Sequence, residues 1–413
     1  MAKTLVYEMY PIAWRSGFSQ MTKHLTRVQA LGADYVWLAP VYPSPRYDHG
    51  YDISDYCAID HRFGGFDAFT QFVSTAHSLG IKVLMDLVLN HTSVEHPWFC
   101  HPWKMLYYCR PTTYLNRPGW KNLFSPMDSP LFWDWERRAY YLSLFHPKQA
   151  DLYWFPGGKL SEQLIGEFRQ IVDFWLRRGV DGFRLDAVQA LNKDLTSDTI
   201  NLESLMFGDR AVDVINAVFD QQTTLGGDKP FLIAEIFDPT YGDIVDYYSE
   251  ASPVDYCMNM LVKQNLDSAT VFEMYNIVAE SIKHHGFMLD LENHDSPRCL
   301  SRLNANHNIG GPSEEAEFAA LTFPNPDAIC IYQGQELGLR NPTEDELSDR
   351  DMLMLDAQAS MRRQSGADLA ELRHTSRANA RVPLPLEKYA EAEADPDSFY
   401  NQLLSRLSLW RKS

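Results

Sequence analysis

The sequence predicts an α/β fold, a closed (β/α)8 TIM barrel with a subdomain inserted after the third strand. Three observations support this prediction: eight short apolar runs recur along the 413 residues, helix-length amphipathic segments separate them, and one connection is too long for a plain loop. The alternative is a doubly wound sheet. That fold usually has fewer strands and carries a glycine-rich phosphate loop, which this sequence lacks.

The predicted strands are short, rich in β-branched and aromatic residues, and nearly continuous in hydrophobicity, as is typical of parallel strands buried on both faces. They span residues 5–11, 34–40, 81–89, 180–187, 231–237, 255–260, 287–293 and 328–334. A helix is predicted over residues 161–179, directly before strand four, with Ser161 as its N-cap and Gly179 as its stop. Residues 397–413 are predicted to form the eighth barrel helix.

The long connection after the third strand, residues 91–155, is rich in aromatic residues. It is predicted to form the inserted subdomain, a lid over the barrel mouth, while residues 1–90 and 156–413 form the catalytic barrel. Its aromatic side chains either build a small core of their own or stack on a ligand. A second long connection, about residues 339–396, is charged and helical in pattern.

Composition excludes several classes of protein. The chain carries 37 basic and 55 acidic residues, a net charge of −18, which disfavours binding to nucleic acids or anionic membranes. The sequence has neither an apolar run of transmembrane length nor the pattern of a signal peptide. Its six cysteines form no C-x-x-C pair, which suits free thiols in a reducing compartment. We therefore expect a cytoplasmic protein, whose oligomeric state the sequence leaves open.

Four acidic residues occupy positions where buried strands normally avoid charge. Asp86, Asp186, Glu235 and Asp295 lie near the C-terminal ends of predicted strands three, four, five and seven. In a barrel these ends converge on one pocket. Retaining cleavage of a glycosidic bond requires two carboxyl groups about 5 Å apart, one as nucleophile and one as acid. Arg184 shares a strand face with Asp186 and is expected to keep that carboxylate ionised.

Several strings, taken together, resemble glycoside hydrolase family 13, the α-amylase superfamily, and most closely its oligo-1,6-glucosidase and α-glucosidase branch. They are SPRYDHGYDISDY (44–56), NHTSVEHPWF (90–99), KQADLYW (148–154), YQGQELG (332–338) and ANAR (378–381). The resemblance covers nearly all of residues 4–413 and implies the same inserted barrel. It implies that Asp186 is the nucleophile, that Glu235 is the general acid and then the base, and that Asp295 is the third carboxylate, which binds sugar hydroxyls.

The resemblance also implies a set of substrate-binding residues. His91 and His294 resemble the paired histidines that bind hydroxyls of the −1 sugar, and Tyr51 resembles the aromatic residue that stacks on its ring. Asp48 and Arg298 resemble a pair that closes the pocket around the non-reducing end, although Arg298 could instead neutralise the acidic cluster. Phe145 either flanks this pocket or packs within the fold. Arg184 is counted with the substrate-binding residues because it supports the nucleophile.

The chain departs from its relatives at its first loop and at its C-terminal end. The first strand-to-helix loop lacks the Asp- and Asn-rich segment that binds calcium in many relatives, so no metal and no other cofactor is expected there. Zinc binding by Cys100, His101 and Cys109 is disfavoured by their spacing and number. Relatives also continue into a C-terminal β-sandwich, which this sequence is not expected to contain. Either the protein dispenses with that domain, or the chain is a fragment.

The leading hypothesis is a retaining, exo-acting α-glucosidase for short oligosaccharides. Ala187 follows the nucleophile where α-1,6-cleaving relatives tend to carry valine, so α-1,4 bonds are weakly favoured. One alternative is a glucosyltransferase or isomerase acting on sucrose- or trehalose-type substrates with the same carboxylates. A remote alternative is a non-catalytic amylase-like binding module. The presence of all three carboxylates argues against it, because such modules usually lose them.

Overall fold

A computed structural model of the chain describes residues 3–100, 107, 109–110, 130–136, 138–191, 193, 210–236, 250–259, 286–305 and 325–413. The strands in these residues are β1 (Thr4–Met9), β2 (Tyr35–Leu38), β3 (Lys82–Val88), β4 (His91–Ser93), β5 (Cys109–Arg110), β6 (Leu131–Asp134), β7 (Ala139–Leu142), β8 (Gln149–Asp151), β9 (Gly182–Asp186), β10 (Phe231–Ile236), β11 (Tyr256–Asn259), β12 (Phe287–Asp290) and β13 (Ala328–Tyr332).

Eight of these strands form a closed parallel barrel in the order β1-β13-β12-β11-β10-β9-β3-β2. They are the eight predicted strands, each within its predicted run apart from one residue at the start of β1. The predicted (β/α)8 fold is therefore confirmed. The reason is local: each run is apolar on both faces, and only a sheet covered by helices outside and side chains inside buries both.

The helices in the described residues are α1 (Phe18–Leu31), α2 (Gly65–Ser78), α3 (Pro97–Cys100), α4 (Glu162–Leu176), α5 (Ala211–Phe219), α6 (Cys299–Ala305), α7 (Asp349–Leu355), α8 (Ala357–Gln364), α9 (Leu369–Thr375), α10 (Ala378–Arg381), α11 (Lys388–Ala394) and α12 (Phe399–Trp410). The predicted N-cap of α4 is present, since the Ser161 hydroxyl accepts a hydrogen bond from the Leu164 N–H at 3.3 Å. Helix α12 is the predicted last barrel helix, and α7 to α11 lie in the second long connection, whose pattern is helical as predicted.

Side chains fill the barrel interior, as expected for eight strands. This interior cluster comprises Val6, Trp37, Leu84, Ile233, Met258, Met288, Ala328 and Cys330. Trp37 lies at its upper end, with its ring 5.0 Å from the Arg184 guanidinium carbon. The apolar interior thus ends where a layer of charged side chains begins, at the C-terminal ends of the strands.

Between β3 and β9 the chain forms two small antiparallel sheets. One pairs β4 with β8, and the other has the order β5-β7-β6. The first sheet brings Asp151 opposite His91, so the two ends of this segment meet beside the barrel mouth. The boundaries of the inserted subdomain, residues 91–155, remain a prediction. None of the helices that the structure describes has the length and apolarity needed to cross a bilayer.

Candidate active site

Arg184 organises the charged layer above the barrel core. It lies on β9 and is buried, and its guanidinium contacts three carboxylates that end neighbouring strands. Its Nη1 lies 3.0 Å from Asp86 Oδ1 and 2.6 Å from Asp186 Oδ1, and its Nη2 lies 2.7 Å from Glu235 Oε2. Residues 184 and 186 share a face of β9, and β9 lies between β3 and β10. The barrel order therefore brings these three acids to one cation.

The charge balance of this group has a chemical consequence. Three ionised carboxylates around one buried guanidinium would leave an excess of two negative charges, which favours retention of a proton within the cluster. Burial raises the pKa of the Asp186 carboxyl, and Glu235 and Asp86 act in the same direction, whereas Arg184 opposes the increase. The arrangement can hold one carboxylate and one carboxylic acid side by side, the combination that retaining glycoside cleavage needs.

Glu235 has one oxygen engaged and one available. Its Oε2 accepts hydrogen bonds from Arg184 and, at 3.0 Å, from the backbone N–H of Ala187. Its Oε1 is buried and has no hydrogen-bond partner among the described residues. An oxygen held in this way can give a proton to, or take one from, a bound molecule. Ala187 makes this contact in the left-handed backbone region, with φ of 44°.

Asp295 lies on the opposite side of the pocket within a second group of cations. Its Oδ1 lies 2.6 Å from Arg381 Nη2 and 3.0 Å from Arg377 Nη1, and its Oδ2 lies 3.4 Å from His294 Nε2. Burial alone would raise the pKa of the Asp295 carboxyl, but His294 and the two arginines outweigh burial and hold the pKa well below its usual range. Asp295 is therefore a fixed anion, unlike the three acids that share Arg184.

The partner of Asp48 differs from the predicted one. Asp48 Oδ1 lies 2.9 Å from Arg377 Nη2, and Asp48 Oδ2 accepts a hydrogen bond from Gln149 Nε2 at 3.0 Å. Arg298 instead pairs with Glu292 at 2.5 Å and donates to the Gln333 carbonyl at 2.9 Å. The predicted pairing of Asp48 with Arg298 is therefore wrong.

The reason for this difference is geometric. Arg298 precedes α6 and is held by the acid of its own loop, Glu292, whose other oxygen accepts the Cys299 N–H at 2.7 Å. Arg377 precedes α10, and its guanidinium bridges Asp48 and Asp295 across the pocket. The alternative interpretation, in which Arg298 neutralises the acidic cluster, gains no support from this contact, because Glu292 is not one of the four strand-end acids.

Two of the predicted residues, Tyr51 and His294, contact each other. The Tyr51 hydroxyl lies 2.6 Å from His294 Nε2 and donates to Asp86 Oδ2 at 2.9 Å. His294 Nδ1 lies 2.6 Å from Glu8 Oε1. Burial would lower the pKa of His294, but Asp295 and Glu8 reverse this effect and raise it to about 9. His294 is thus a cation at neutral pH.

His91, unlike His294, is favoured in its neutral form. Burial lowers the pKa of His91 to about 3, although Asp48 acts against this decrease. Gln149 Nε2 lies 3.0 Å from His91 Nε2 and also binds Asp48. The Phe145 ring packs against the His91 ring with centroids 5.3 Å apart, so Phe145 lies on the His91 side of the pocket. The two histidines therefore offer a neutral ring on one side and a charged ring on the other.

Four residues of this network were not among the predicted site residues: Arg377, Arg381, Gln149 and Glu8. Gln149 and Arg381 lie inside two of the matching strings, and Arg377 directly precedes one, so their motifs carried a signal. Glu8 interrupts the first apolar run, where an acid needs a buried partner.

The described residues contain no group of three or more histidine, cysteine, aspartate or glutamate side chains that could hold a metal ion. The side chains of Cys100, His101 and Cys109 lie outside the described residues. The absence of a metal at the first loop stays a prediction.

Comparison with known proteins identifies the family. The sequence model of the α-amylase catalytic domain matches residues 17–393. A trehalose-6-phosphate hydrolase of Escherichia coli K12 is 28% identical, with 92% of this chain aligned to 74% of that protein. An oligo-1,6-glucosidase of Bacillus cereus is 27% identical, again over 92% of this chain and 74% of the relative.

Solved structures show the same architecture. The crystal structure of a Bacillus licheniformis trehalose-6-phosphate hydrolase mutant matches with a TM-score of 0.84 at 25% identity, covering 100% of this chain and 84% of that one. An isomaltulose synthase of Klebsiella matches with a TM-score of 0.84 at 22% identity, over 99% of this chain and 84% of the other, and so supports the fold alone. With its closed barrel and its family match, this chain belongs to the α-amylase family, glycoside hydrolase family 13, and is a glycoside hydrolase.

Proposed function

We propose that this glycoside hydrolase is a retaining, exo-acting α-glucosidase that releases glucose from the non-reducing end of short oligosaccharides. The observation that carries the proposal is the bridge from Asp48 through Arg377 to Asp295, with distances of 2.9 and 3.0 Å. Gln149 joins the same bridge from the β4-β8 sheet. A wall of paired charges on this side of the pocket favours a site that takes the end of a chain rather than its middle.

The retaining mechanism assigns a role to each of the three carboxylates. Asp186, ion-paired with Arg184 at 2.6 Å, attacks the anomeric carbon and forms a covalent glucosyl intermediate. Glu235 protonates the leaving oxygen through Oε1, the atom that has no other partner in the described part of the chain, and then activates water. Asp295 stays ionised and binds sugar hydroxyls, which favours the oxocarbenium-like transition state.

The remaining predicted residues orient the first sugar. We propose that Tyr51 stacks on the ring at subsite −1, that His91 and His294 contact its hydroxyls, and that Phe145 supports His91. Ala187 lies next to the nucleophile and donates to Glu235, so its small side chain borders the leaving group. This position is the basis of the weak preference for α-1,4 over α-1,6 bonds.

Several related proposals follow from the same evidence. The substrate is a small oligosaccharide, as the names of the relatives indicate for those proteins. The surplus of acidic residues argues against partners that are nucleic acids or anionic membranes. A cytoplasmic location suits the four cysteines that the described residues hold as thiols, Cys57, Cys257, Cys299 and Cys330.

Product analysis tests the proposal. The purified protein is incubated separately with maltotriose, isomaltotriose, sucrose, trehalose and trehalose 6-phosphate, and the products and their anomeric form are followed by NMR. We expect α-glucose to appear first, and maltotriose to be cleaved faster than isomaltotriose. A maltotrioside blocked at its non-reducing end is the control for exo action and should resist cleavage.

Three outcomes would contradict the proposal. Cleavage of the blocked maltotrioside would show endo action, and β-glucose as first product would show inversion. If most of the glucose appeared in transfer or isomer products, the transferase alternative would replace the hydrolase. An inactive protein with intact circular dichroism would favour the binding-module alternative.

A further inference from the structure

Glu8 is a buried acid that takes no part in the mechanism above. It lies on β1 and is fully buried, and β2 separates its strand from β3, which carries Asp86. Its Oε1 lies 2.6 Å from Nδ1 of His294, which is also fully buried. An acid in an otherwise apolar strand is costly unless it has a specific partner, and here that partner is a residue of the proposed sugar site.

Hydrogen-bond directions define the protonation of the His294 ring. Arg184 Nη1 donates to both oxygens of Asp86, at 3.0 and 3.2 Å, and the Tyr51 hydroxyl donates to Asp86 Oδ2 at 2.9 Å. The Tyr51 oxygen, 2.6 Å from His294 Nε2, must then accept a proton from that nitrogen. With Nδ1 facing Glu8, both ring nitrogens act as donors, which is the pattern of an imidazolium.

From this geometry we propose that Glu8 is a positioning residue that holds His294 as a charged, doubly donating ring at neutral pH. Through His294 it orients the Tyr51 hydroxyl toward Asp86. A continuous chain of contacts then runs from Glu8 through His294, Tyr51, Asp86 and Arg184 to the nucleophile Asp186. Glu8 thus acts on the nucleophile through these contacts and not by contacting the sugar.

The surroundings of His294 agree with a positive charge. The titratable, charged and aromatic groups that face it are Glu8 on β1, Tyr10 directly after β1, Trp37 on β2, Tyr51, Asp86 on β3, Asp295, and Arg381 of α10. Arg377, which precedes α10, contacts Asp295. Tyr10 stacks on the His294 ring with centroids 5.3 Å apart, a placement that favours a cation. Arg381 Nε donates to the His294 carbonyl at 2.9 Å, so it fixes the backbone rather than repelling the ring directly.

The acids decide the charge balance. Asp295 and Glu8 each lie within contact distance of the ring, and together they outweigh burial, which would neutralise it. Asp295 already has Arg377 and Arg381 as partners. Glu8 therefore adds a second negative charge, in direct contact with the other ring nitrogen of His294.

The Glu8→Gln variant tests the proposal, because glutamine keeps the size and the hydrogen-bond acceptor but removes the charge. Protein labelled with ¹⁵N in its histidines is titrated by NMR, and the His294 resonances are assigned from their loss in His294→Gln. In the wild type we expect both ring nitrogens to carry protons at pH 7. In Glu8→Gln we expect the pKa of His294 to fall by about 1–3.

A matched control is available in Glu336→Gln. Glu336 is also fully buried and also faces a buried histidine, with its Oε1 3.6 Å from His24 Nε2, but it lies apart from the carboxylates that share Arg184. The control should lose stability as Glu8→Gln does, yet leave the titration of His294 unchanged. The pH profile of kcat/KM should likewise shift its alkaline limb to lower pH in Glu8→Gln and stay in place in Glu336→Gln.

The inference rests on the proposed function only for the activity profile, and the NMR titration stands without it. A neutral His294 ring at pH 7 in the wild type would overturn the proposal and needs no variant to fold. An unchanged His294 titration in a folded Glu8→Gln would also overturn it. If His294 titrates as expected but no substrate is cleaved, the proposed function fails while the role of Glu8 on the ring stands.

Discussion

Replacing Arg377 with glutamine removes the cation that joins the two sides of the pocket. Arg377 is 7% exposed, and it lies 2.9 Å from Asp48, 3.0 Å from Asp295 and 3.5 Å from Asp356. In the variant, Asp295 would still have its ion pair with Arg381 at 2.6 Å. Asp48 would lose its ion pair with Arg377 and would keep the hydrogen bond from Gln149. The loss should therefore fall mainly on Asp48.

The size of the effect follows from these contacts. Breaking a buried ion pair by removing one partner costs about 3–5 kcal/mol of folding free energy. A hydrogen bond to a charged group contributes about 1.5–3 kcal/mol, so kcat/KM should fall about 10- to 150-fold if the bridge binds the sugar. Urea unfolding measures the first quantity. Initial rates with a p-nitrophenyl α-glucoside measure the second.

A double-mutant cycle separates the bridge from general destabilisation. Asp48→Asn and Arg377→Gln, singly and together, should show a coupling of about 1.5–3 kcal/mol in kcat/KM. Arg298→Gln is the matched control, because Arg298 is also buried but pairs with Glu292 at 2.5 Å. Its cycle with Asp48→Asn should be additive within about 0.5 kcal/mol. Additivity for Arg377, or coupling for Arg298, would refute the reasoning.

Three further predictions concern single residues. Glu235→Gln should keep the fold but lose most turnover on substrates with poor leaving groups, and an aryl glucoside with a good leaving group should be much less affected, as initial rates would show. His294, with a folded pKa of about 9, should stabilise the fold by up to about 3 kcal/mol. This contribution should be complete below pH ~6.5 and should be lost as the pH rises through 9. Urea unfolding at several pH values should show this dependence in the wild type and a flatter one in His294→Gln. Gly182→Ala should lower the free energy of unfolding by about 3 kcal/mol or more, because its Cβ would overlap the Phe231 carbonyl, whereas Gly166→Ala on α4, with open space around it, should be neutral or stabilising.

The barrel could be predicted from the sequence because its signal is local. The run that contains β9 is short and nearly continuous in hydrophobicity, and the charged residues that break the pattern are Arg184 in the middle of the strand and Asp186 at its C-terminal end. Their contact also followed from spacing, since residues two apart on a strand share a face. The convergence of Asp86 and Glu235 on Arg184 then needed only the barrel order.

The partners across the pocket could not be predicted in this way. Arg298 follows Asp295 by three residues and Arg377 directly precedes the ANAR string, and no periodicity says which guanidinium reaches Asp48. That choice depends on how α7 to α10 lie over the barrel mouth, a tertiary arrangement without a local signal. Glu8 was missed for a different reason: its partner, His294, lies 286 positions away, and one acid in an apolar strand suggests a partner without naming it.

Trapping the reaction intermediate tests the central claim, a retaining mechanism with Asp186 as nucleophile. The protein is incubated with 5-fluoro-α-glucosyl fluoride, digested, and analysed by mass spectrometry, with Asp186→Asn as the control. The account predicts a covalent sugar adduct on the peptide that contains Asp186, and none in the variant. An adduct on another carboxylate, or steady release of the β-product without any adduct, would contradict it.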